Sequence, residues 1–511
     1  MTLVNLVGVS ASDPIPGNYI QVNFGAGPAG LGNTVYSALL YANKLSSGTA
    51  GNDGYIYGPD TETPLNTESD AISLFGFGSE AHLMWLSFNA VNKSTPLYVC
   101  TVAESSGNKA TGTITLTGTA TGSGTLTVYF SAVDFVEVAV NSGDSADDIG
   151  DNLVLAVNAK TLGFIASNNM GTVTLTARQK GTKGNFFRYS AKLTAGTGVT
   201  VTPTARTNFS GGTVNDSLQA AIAAVGDRRF YYQVSSSNDA SNLGYLKSAI
   251  DSNALPGVGS RNRAVYGFVD GLAANITLTT AINDPRFEQV WLEDSDVVPS
   301  VLAARAAGAY MLFETSLGAL FSLNFNGFGS TSSTSGFWLI PAPIGSNGPS
   351  TSEIRSALMN GITPIKVFGP GVTCIVRRVT TKSLNGTSPD YRTRDACIVT
   401  VCDRYADDLK NQFDVQLGGR TVGNDPAPGQ LSQNTVVVTP RVVKNITNAV
   451  TTTYTNQGLL ENPFLPAVNQ YQIQYNTQVV RETNPDTTIS VKVPLAVARI
   501  LVQTASDIDQ V

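Results

Sequence analysis

The sharpest alternation of apolar and polar positions falls within residues 435–494. Thr439 followed by Pro440 reads as a helix start: the hydroxyl can take a free first-turn amide, and proline fits the first position, where no N–H is needed. Val442, Ile446, Ala449 and Val450 then recur at helical spacing, which predicts one apolar face. Past Gly458 the period drops to two. Tyr471, Ile473, Tyr475, Thr477 and Val479 point one way and Gln472, Gln474, Asn476 and Gln478 the other, so a long strand is expected. Asn484-Pro485-Asp486 supplies turn chemistry, and Ile489, Val491 and Val493 resume the alternation as a returning strand.

Ahead of that stretch the patterning changes style several times. Residues 1–23 are broken at Pro14 and Pro16, and Tyr19 to Phe24 is strand-like. Val35 to Ala42 predicts a buried strand, with its Ala and Leu content leaving helix open. Glu68 to Asn89 predicts two helices around a glycine-containing break, and Pro96 to Val102 a strand. From 105 to about 212 the chain turns Thr/Val-rich. Strands are expected at 111–116, 124–130, 135–140, 172–177, 186–193 and 199–202, with one helix carrying Ile149, Leu153 and Val157 on a stripe. This reads as a self-contained β-rich insertion. Between 214 and 316 helices and strands alternate, the rhythm of a parallel sheet covered by helices. Residues 327–349 form a loop around Phe337-Trp338-Leu339-Ile340. A helix at 353–359 and a hairpin of 365–368 with 373–379 follow, turning at Gly369-Pro370-Gly371. The longest helix is expected at 391–413, and a loop at 418–434.

Length and composition narrow the class. A chain of 511 residues exceeds one usual domain. Charged residues make up only 14%, against about 25% in ordinary soluble proteins. A neutral polar surface suits a protein covered by copies of itself, since few charges then need desolvating; a turn-rich β protein accounts for the same numbers. A net charge of −6 argues against general nucleic-acid binding. Cys100, Cys374, Cys397 and Cys402 sit mostly in apolar runs and are expected as reduced core thiols. The opening residues lack the basic region and cleavage site of a signal peptide, and no apolar run reaches the roughly 18 residues of a membrane span.

Candidate chemistry is sparse. Gly25, Gly27 and Gly30 match G-x-G-x-x-G after a strand, but the following segment reads as strand, whereas a pyrophosphate needs a helix N-terminus there. The single histidine, His82, excludes a multi-histidine zinc site, and a packing role outweighs a catalytic one. There is no G-x-S-x-G and no P-loop lysine. The acidic groups Asp144, Asp147, Asp148, Asp151 and Glu293, Asp294, Asp296 lack calcium-loop spacing and read as caps. The basic groups Lys180, Lys183, Arg188 and Arg377, Arg378, Lys382 read as solvated or subunit-facing patches. No cofactor and no metal is expected.

The order VVTPR, GLLEN, a long strand ending in RETNPD, then ISVKVP resembles the C-terminal core of tail sheath proteins of contractile-tailed bacteriophages, in their Mu-like branch. Pro16-Gly17-Asn18-Tyr19 is similar to the family's opening. RRVTTKSLNGTSPDYRTRDACIVTVCDRYADDLK (377–410) resembles its strand, turn and long helix, and ARQKGTKGNFFRYS (177–190) and GGTVNDSLQAAIAAVGDRRF (211–230) its middle. The glycine-rich opening run and the 327–349 loop depart from the pattern.

The resemblance implies a multidomain α+β / α/β fold: a sheath core of helices on a mixed sheet, an inserted β-rich domain and extended terminal arms. It divides the chain into an N-terminal arm (1–24), the first part of the core (25–104), an outer insertion (105–212), an α/β domain (213–349), a C-terminal core facing a tail tube (350–494) and a C-terminal arm (495–511). It implies a structural role without catalysis: stacked hexameric rings around a tube, contracting from a metastable state to drive the tube through a host envelope. The implied partners are further copies of the chain, the tail tube protein, and baseplate and terminator proteins, with no direct nucleic-acid contact and no membrane insertion. The implied place is the virion tail, after assembly in the bacterial cytoplasm. Arm strands would run through Tyr19, Ile20, Val22, Phe24 and Ile500, Leu501, Val502, adding to strands at Tyr471, Ile473, Tyr475 and Ile489, Val491, Val493. The alternatives are the sheath of a capsid-less injection particle and, more distantly, a nucleotide-binding enzyme using Gly25, Gly27 and Gly30.

Overall fold

A computed structural model describes residues 36–314, 340–367, 373–427, 436–460 and 477–497. The first part gives β1 (Ala38–Asn43), β2 (Ile56–Tyr57), α1 (Glu68–Phe75), α2 (Glu80–Asn89) and β3 (Leu97–Val102). A β-rich stretch follows: β4 (Lys109–Thr117), β5 (Gly124–Tyr129), β6 (Phe135–Val140), α3 (Ala146–Asn158), β7 (Phe164–Asn169), β8 (Thr172–Lys180), a 3-10 turn at Thr182–Phe186, β9 (Arg188–Leu193), β10 (Thr200–Thr202) and β11 (Thr207–Asn208). Helices and strands then alternate through α4 (Gln219–Val225), β12 (Tyr232–Val234), α5 (Ala240–Asn253), β13 (Arg263–Phe268), α6 (Leu272–Ile282), β14 (Phe287–Trp291) and α7 (Pro299–Glu314). The remainder comprises α8 (Thr351–Met359), β15 (Thr363–Val367), β16 (Thr373–Ile375), the short pair β17 (Leu384–Asn385) and β18 (Ser388–Pro389), α9 (Ala396–Leu417), β19 (Thr421–Val422), β20 (Val437–Val438), α10 (Pro440–Asn456), β21 (Gln478–Arg481) and β22 (Ile489–Lys492).

The body is an eight-stranded sheet in the order β16-β15-β14-β13-β12-β1-β3-β2. Strands β3, β1, β12, β13, β14 and β15 run parallel, and β2 and β16 close the two edges antiparallel. Parallel strands covered on both faces must be apolar throughout, and β1, β3, β13 and β14 are buried along their whole length. One face carries Leu40, Val234, Val265 and Val290 under α1, α2 and α7; the other carries Leu39, Tyr41, Tyr266 and Trp291 under α4, α5 and α6. The connection leaving β1 goes to β3 on one side, and the connection leaving β12 goes to β13 on the other. The sheet order therefore reverses between β1 and β12, the position where open α/β sheets leave a crevice at their carboxyl ends.

The β-rich stretch forms two antiparallel four-stranded sheets, β10-β4-β8-β7 and β11-β9-β5-β6. They enclose a core of their own with Ile149, Leu153 and Val157 of α3, and with Phe130, Phe164, Phe187 and Phe209 in edge-on and tilted contacts. Helix α3 starts where the sequence predicts because Ser145 and Asp148 cap each other's backbone amides. The same reciprocal cap opens α1 (Thr67 with Asp70) and α8 (Ser350 with Glu353).

Several expectations need correction. Strand β7 is an addition to the sequence reading, and Phe186 belongs to the 3-10 turn rather than to a strand. The longest helix is α9, but it begins at Ala396 because Asp395 pairs with Val379 in a β-bridge and its carboxylate takes both arms of Arg377. The strand after residue 373 ends at Ile375. Within the expected loop at 418–434, β19 pairs in parallel with β20. Thr439 does stand at the cap of α10, with Pro440 after it, but its side chain makes no capping hydrogen bond. Ala449 is exposed, and the buried stripe is Val443, Ile446, Thr447, Val450, Thr451 and Tyr454.

Candidate assembly surface and the charges beneath it

Strands β21 and β22 form the strand–turn–strand the sequence predicts, paired antiparallel with Val479 opposite Val491 and Arg481 opposite Ile489. The turn at Asn484–Asp486 joins them. Because side chains alternate, Val479, Ile489, Val491 and Val493 face inward and pack half-buried on the core under α9 and α10. Gln478 and Lys492 are exposed on the outer face, and Val480 is 43% exposed beside them. Among the described residues neither strand pairs with any third strand. Of the residues expected to receive neighbouring arms, Ile489, Val491 and Val493 thus lie together on one hairpin. Tyr471, Ile473 and Tyr475 lie outside the described residues, as do Tyr19, Ile20, Val22, Phe24, Ile500, Leu501 and Val502, and Gly25, Gly27 and Gly30.

The hairpin rests on a helix pair. Tyr405 of α9 meets Tyr454 of α10 edge-on at 5.5 Å between ring centres, and its hydroxyl lies 3.1 Å from Thr451 Oγ1. The hydroxyl of Tyr454 donates to the Asp408 carboxylate. Burial pushes the Asp408 carboxyl up to about 6, although that hydrogen bond pulls the other way. Leu409, Phe413, Val443, Ile446 and Val450 complete the core.

Beneath the helix pair lies a seam of buried ion pairs, which the sequence reading missed. Arg229, Arg261, Arg263 and Arg286 all sit at or just before the starts of β12, β13 and β14, so their side chains gather at one end of the parallel sheet. Helix α9 crosses that end and offers Asp403 and Asp407, one turn apart. Arg286 grips Asp403 at 2.7 and 2.9 Å, while Arg261 and Arg229 share Asp407 at 3.0 and 2.6 Å. Deeper in, Arg263 and Arg378 bind Glu288 and Glu314, with all four side chains at most 3% exposed. Arg378 also lies 4.0 Å from the ring centre of Tyr310. Burial favours the neutral form of Glu314, but Arg378, Arg263 and Arg404 overcome it and hold the carboxyl down at about 2.

The expected basic patches therefore need correcting. Arg378 is buried in this network, and Arg377 is bound to Asp395. Lys183 contacts Glu80 and Asp216, and Arg188 contacts Asp294. These cations are partnered within the chain, because each faces a carboxylate far away in sequence that no local pattern exposes. The signal that could have found the seam is the coincidence of arginines at several strand starts with an i, i+4 pair of aspartates on one helix.

The remaining candidates resolve into structural roles. His82 is fully buried, and its Nδ1 accepts from the Gly78 amide at 3.1 Å. Burial keeps its pKa below the usual imidazole value despite Glu68, 3.5 Å from Nε2. All four cysteines are buried and free, and burial pushes the thiols of Cys100, Cys397 and Cys402 up to about 12, so they stay protonated. Asp148 caps α3, Asp147 and Asp151 accept from Asn168, and Asp296 holds Arg206 and the Ile344 amide. Among the described residues no group of three or more His, Cys, Asp or Glu side chains is placed to hold a metal, and no helix is long and apolar enough to cross a membrane.

No family model matches the chain. A 240-residue stretch, 46% of the chain, is 28% identical to the Mu-like prophage FluMu tail sheath protein of Haemophilus influenzae, of which it covers 47%. The chain thus spans about half the length of the curated relative it matches. The Mu-like resemblance read from the sequence is borne out by this match. Among solved structures, the sheath tail protein of Listeria innocua is 14% identical, with 89% of this chain and 90% of that one covered at a TM-score of 0.44. The sheath tail protein of Desulfitobacterium hafniense is 13% identical, with 93% and 95% covered and a TM-score of 0.44. The contracted sheath complex of an extracellular contractile injection system is 12% identical, with 98% and 99% covered and a TM-score of 0.45.

Proposed function

We propose that this chain is the repeating structural subunit of a contractile tail sheath and performs no covalent chemistry. The observation that carries the reading is its similarity to the Mu-like tail sheath protein over 240 residues. On this reading the subunits stack as six-membered rings around a tail tube, through heterologous contacts that repeat along the axis without closing. The β21–β22 hairpin supports it: among the described residues it has no third strand on either side, as an acceptor for strand addition requires, and it packs on the core of α9 and α10. Residues 1–24 and the chain beyond Val497 act as the added arms; the resemblance starts the second arm at residue 495, but Leu495, Ala496 and Val497 pack in the core under α9 and α10 and Val497 bridges to Leu460. Residues 105–212 face outward, and residues 350–494 face the tube. Backbone hydrogen bonds keep subunits joined while other contacts slide, so a metastable extended array shortens without coming apart. Each subunit contributes on the order of a few kcal/mol, the scale of a bistable interface, and a long tail sums these into mechanical work.

Removing residues 498–511, beyond the last residue packed in the core, tests the joining mechanism. Sedimentation of the truncated protein should show a folded monomer at concentrations where the full chain polymerises. Normal tubes from the truncated chain would refute the arm assignment.

A further inference from the structure

We propose that Lys183 is a built-in ligand: its ammonium fills the crevice at the carboxyl ends of β1 and β12 and thereby fixes the β-rich unit on the α/β body. That crevice lies where the sheet order reverses, the usual seat of a small molecule in an open α/β fold. Here four elements converge on it. Asn43 ends β1, Ser236 follows β12, Glu80 opens α2, and Asp216 lies in the segment returning from the β-rich unit. Lys183, from the 3-10 turn of that unit, places Nζ 3.0 Å from Asn43 Oδ1, 2.9 Å from Glu80 Oε2, 2.8 Å from Ser236 Oγ and 2.8 Å from Asp216 Oδ2. An ammonium has three donors in a compact head, and this cage of oxygens suits it.

The cage is held rigid before the lysine arrives. The amide nitrogen of Asn43 donates to the carbonyls of Val102 and Ala103, which turns its oxygen toward Lys183. The backbone amide of Asn43 donates to the same Glu80 oxygen that meets the lysine. Beside the ammonium remains a cavity of about 40 Å³ bordered by Asn238 and Ser300, so the crevice is almost filled.

Asp216 ties this cage to the neck through which the chain enters and leaves the β-rich unit. Its second oxygen accepts from the Ser105 amide at 2.7 Å, and the Ser105 hydroxyl donates to the Val214 carbonyl at 2.8 Å. The Asn108 amide donates to Thr213 Oγ1 at 3.0 Å. A single ammonium therefore braces both passes of the neck, the start of α2 and the ends of two body strands. Hydrogen bonds to ionised groups are shorter and stronger than neutral ones and add geometric specificity.

Hydrogen exchange on the purified full chain tests the proposal. In Lys183→Ala the amides of residues 178–187 and 210–217 should exchange about tenfold faster, while β13 and β14 keep their protection. Propylammonium, which restores the missing stem and head, should slow those segments again. Tetramethylammonium at equal ionic strength, having no N–H to donate, should leave them fast. Unchanged exchange in Lys183→Ala, loss of protection spread equally over β13 and β14, or equal responses to the two cations would each overturn the proposal. Should Lys183→Ala fail to fold, Asp216→Asn removes one charge while keeping an acceptor for Ser105. The same two segments must then speed up alone, and unchanged exchange there overturns the assignment.

Discussion

Arg378 shows how a charge can sit in the middle of a fold whose composition is poor in charge. Its guanidinium and that of Arg263 pair with the carboxylates of Glu288 and Glu314, and all four are buried. Removing one member of a buried set leaves an uncompensated charge. Arg378→Met should therefore lower unfolding free energy by about 3–5 kcal/mol in urea titrations. Adding Glu314→Gln restores neutrality, so the double variant should lose less than the sum of the two single losses. Two carboxyls titrate with opposite signs. Glu314 is held down at about 2, so its contribution is present above the ordinary glutamate value and is lost as pH falls through about 2. Asp408 is pushed up to about 6, so its contribution is present below the ordinary aspartate value and is lost as pH rises through about 6. Asp408→Asn should accordingly flatten the stability profile between about pH 4 and pH 6, measured as the denaturation midpoint against pH. A profile that keeps its slope there would remove Asp408 from the account. Little of this was legible in the sequence. Glu288 is 90 residues from Arg378, and a charge in a short basic run looks like a solvated one until its partner's strand is placed.

At the scale of elements, the apolar periodicity located the main helices and the body strands, because burial on one or two faces imposes the period directly. It failed where a hydrogen bond rather than a stripe set the boundary. Asp395 turns outward to Val379 and Arg377, and α9 starts five residues later than its pattern predicts. Helix α10 offers a compact check. Ile446 is buried at 7% exposure, so Ile446→Ala should cost about 2–4 kcal/mol. Ala449→Ser on the exposed face should cost less than about 0.5 kcal/mol. Ser145→Ala, which removes a formed cap on α3, should cost about 1 kcal/mol. Thermal denaturation of the three variants gives the ranking, and an Ala449→Ser loss equal to that of Ser145→Ala would contradict it.

For the whole molecule, the order of segments carried the Mu-like resemblance, and the parallel-sheet rhythm of 214–316 carried the body. The seam of ion pairs under α9 was invisible because it joins elements that approach only once the sheet is built. Some of the charged side chains pair inside the chain, where they seat α9 and form the Lys183 cage. The central proposal, that the protein acts by polymerising, rests on the similarity to the Mu-like tail sheath protein over 240 residues. Electron microscopy of the purified full chain is the direct measurement. The account predicts hollow tubes built of stacked rings with six subunits each. A protein that remains a single globular particle at every concentration and salt would contradict it.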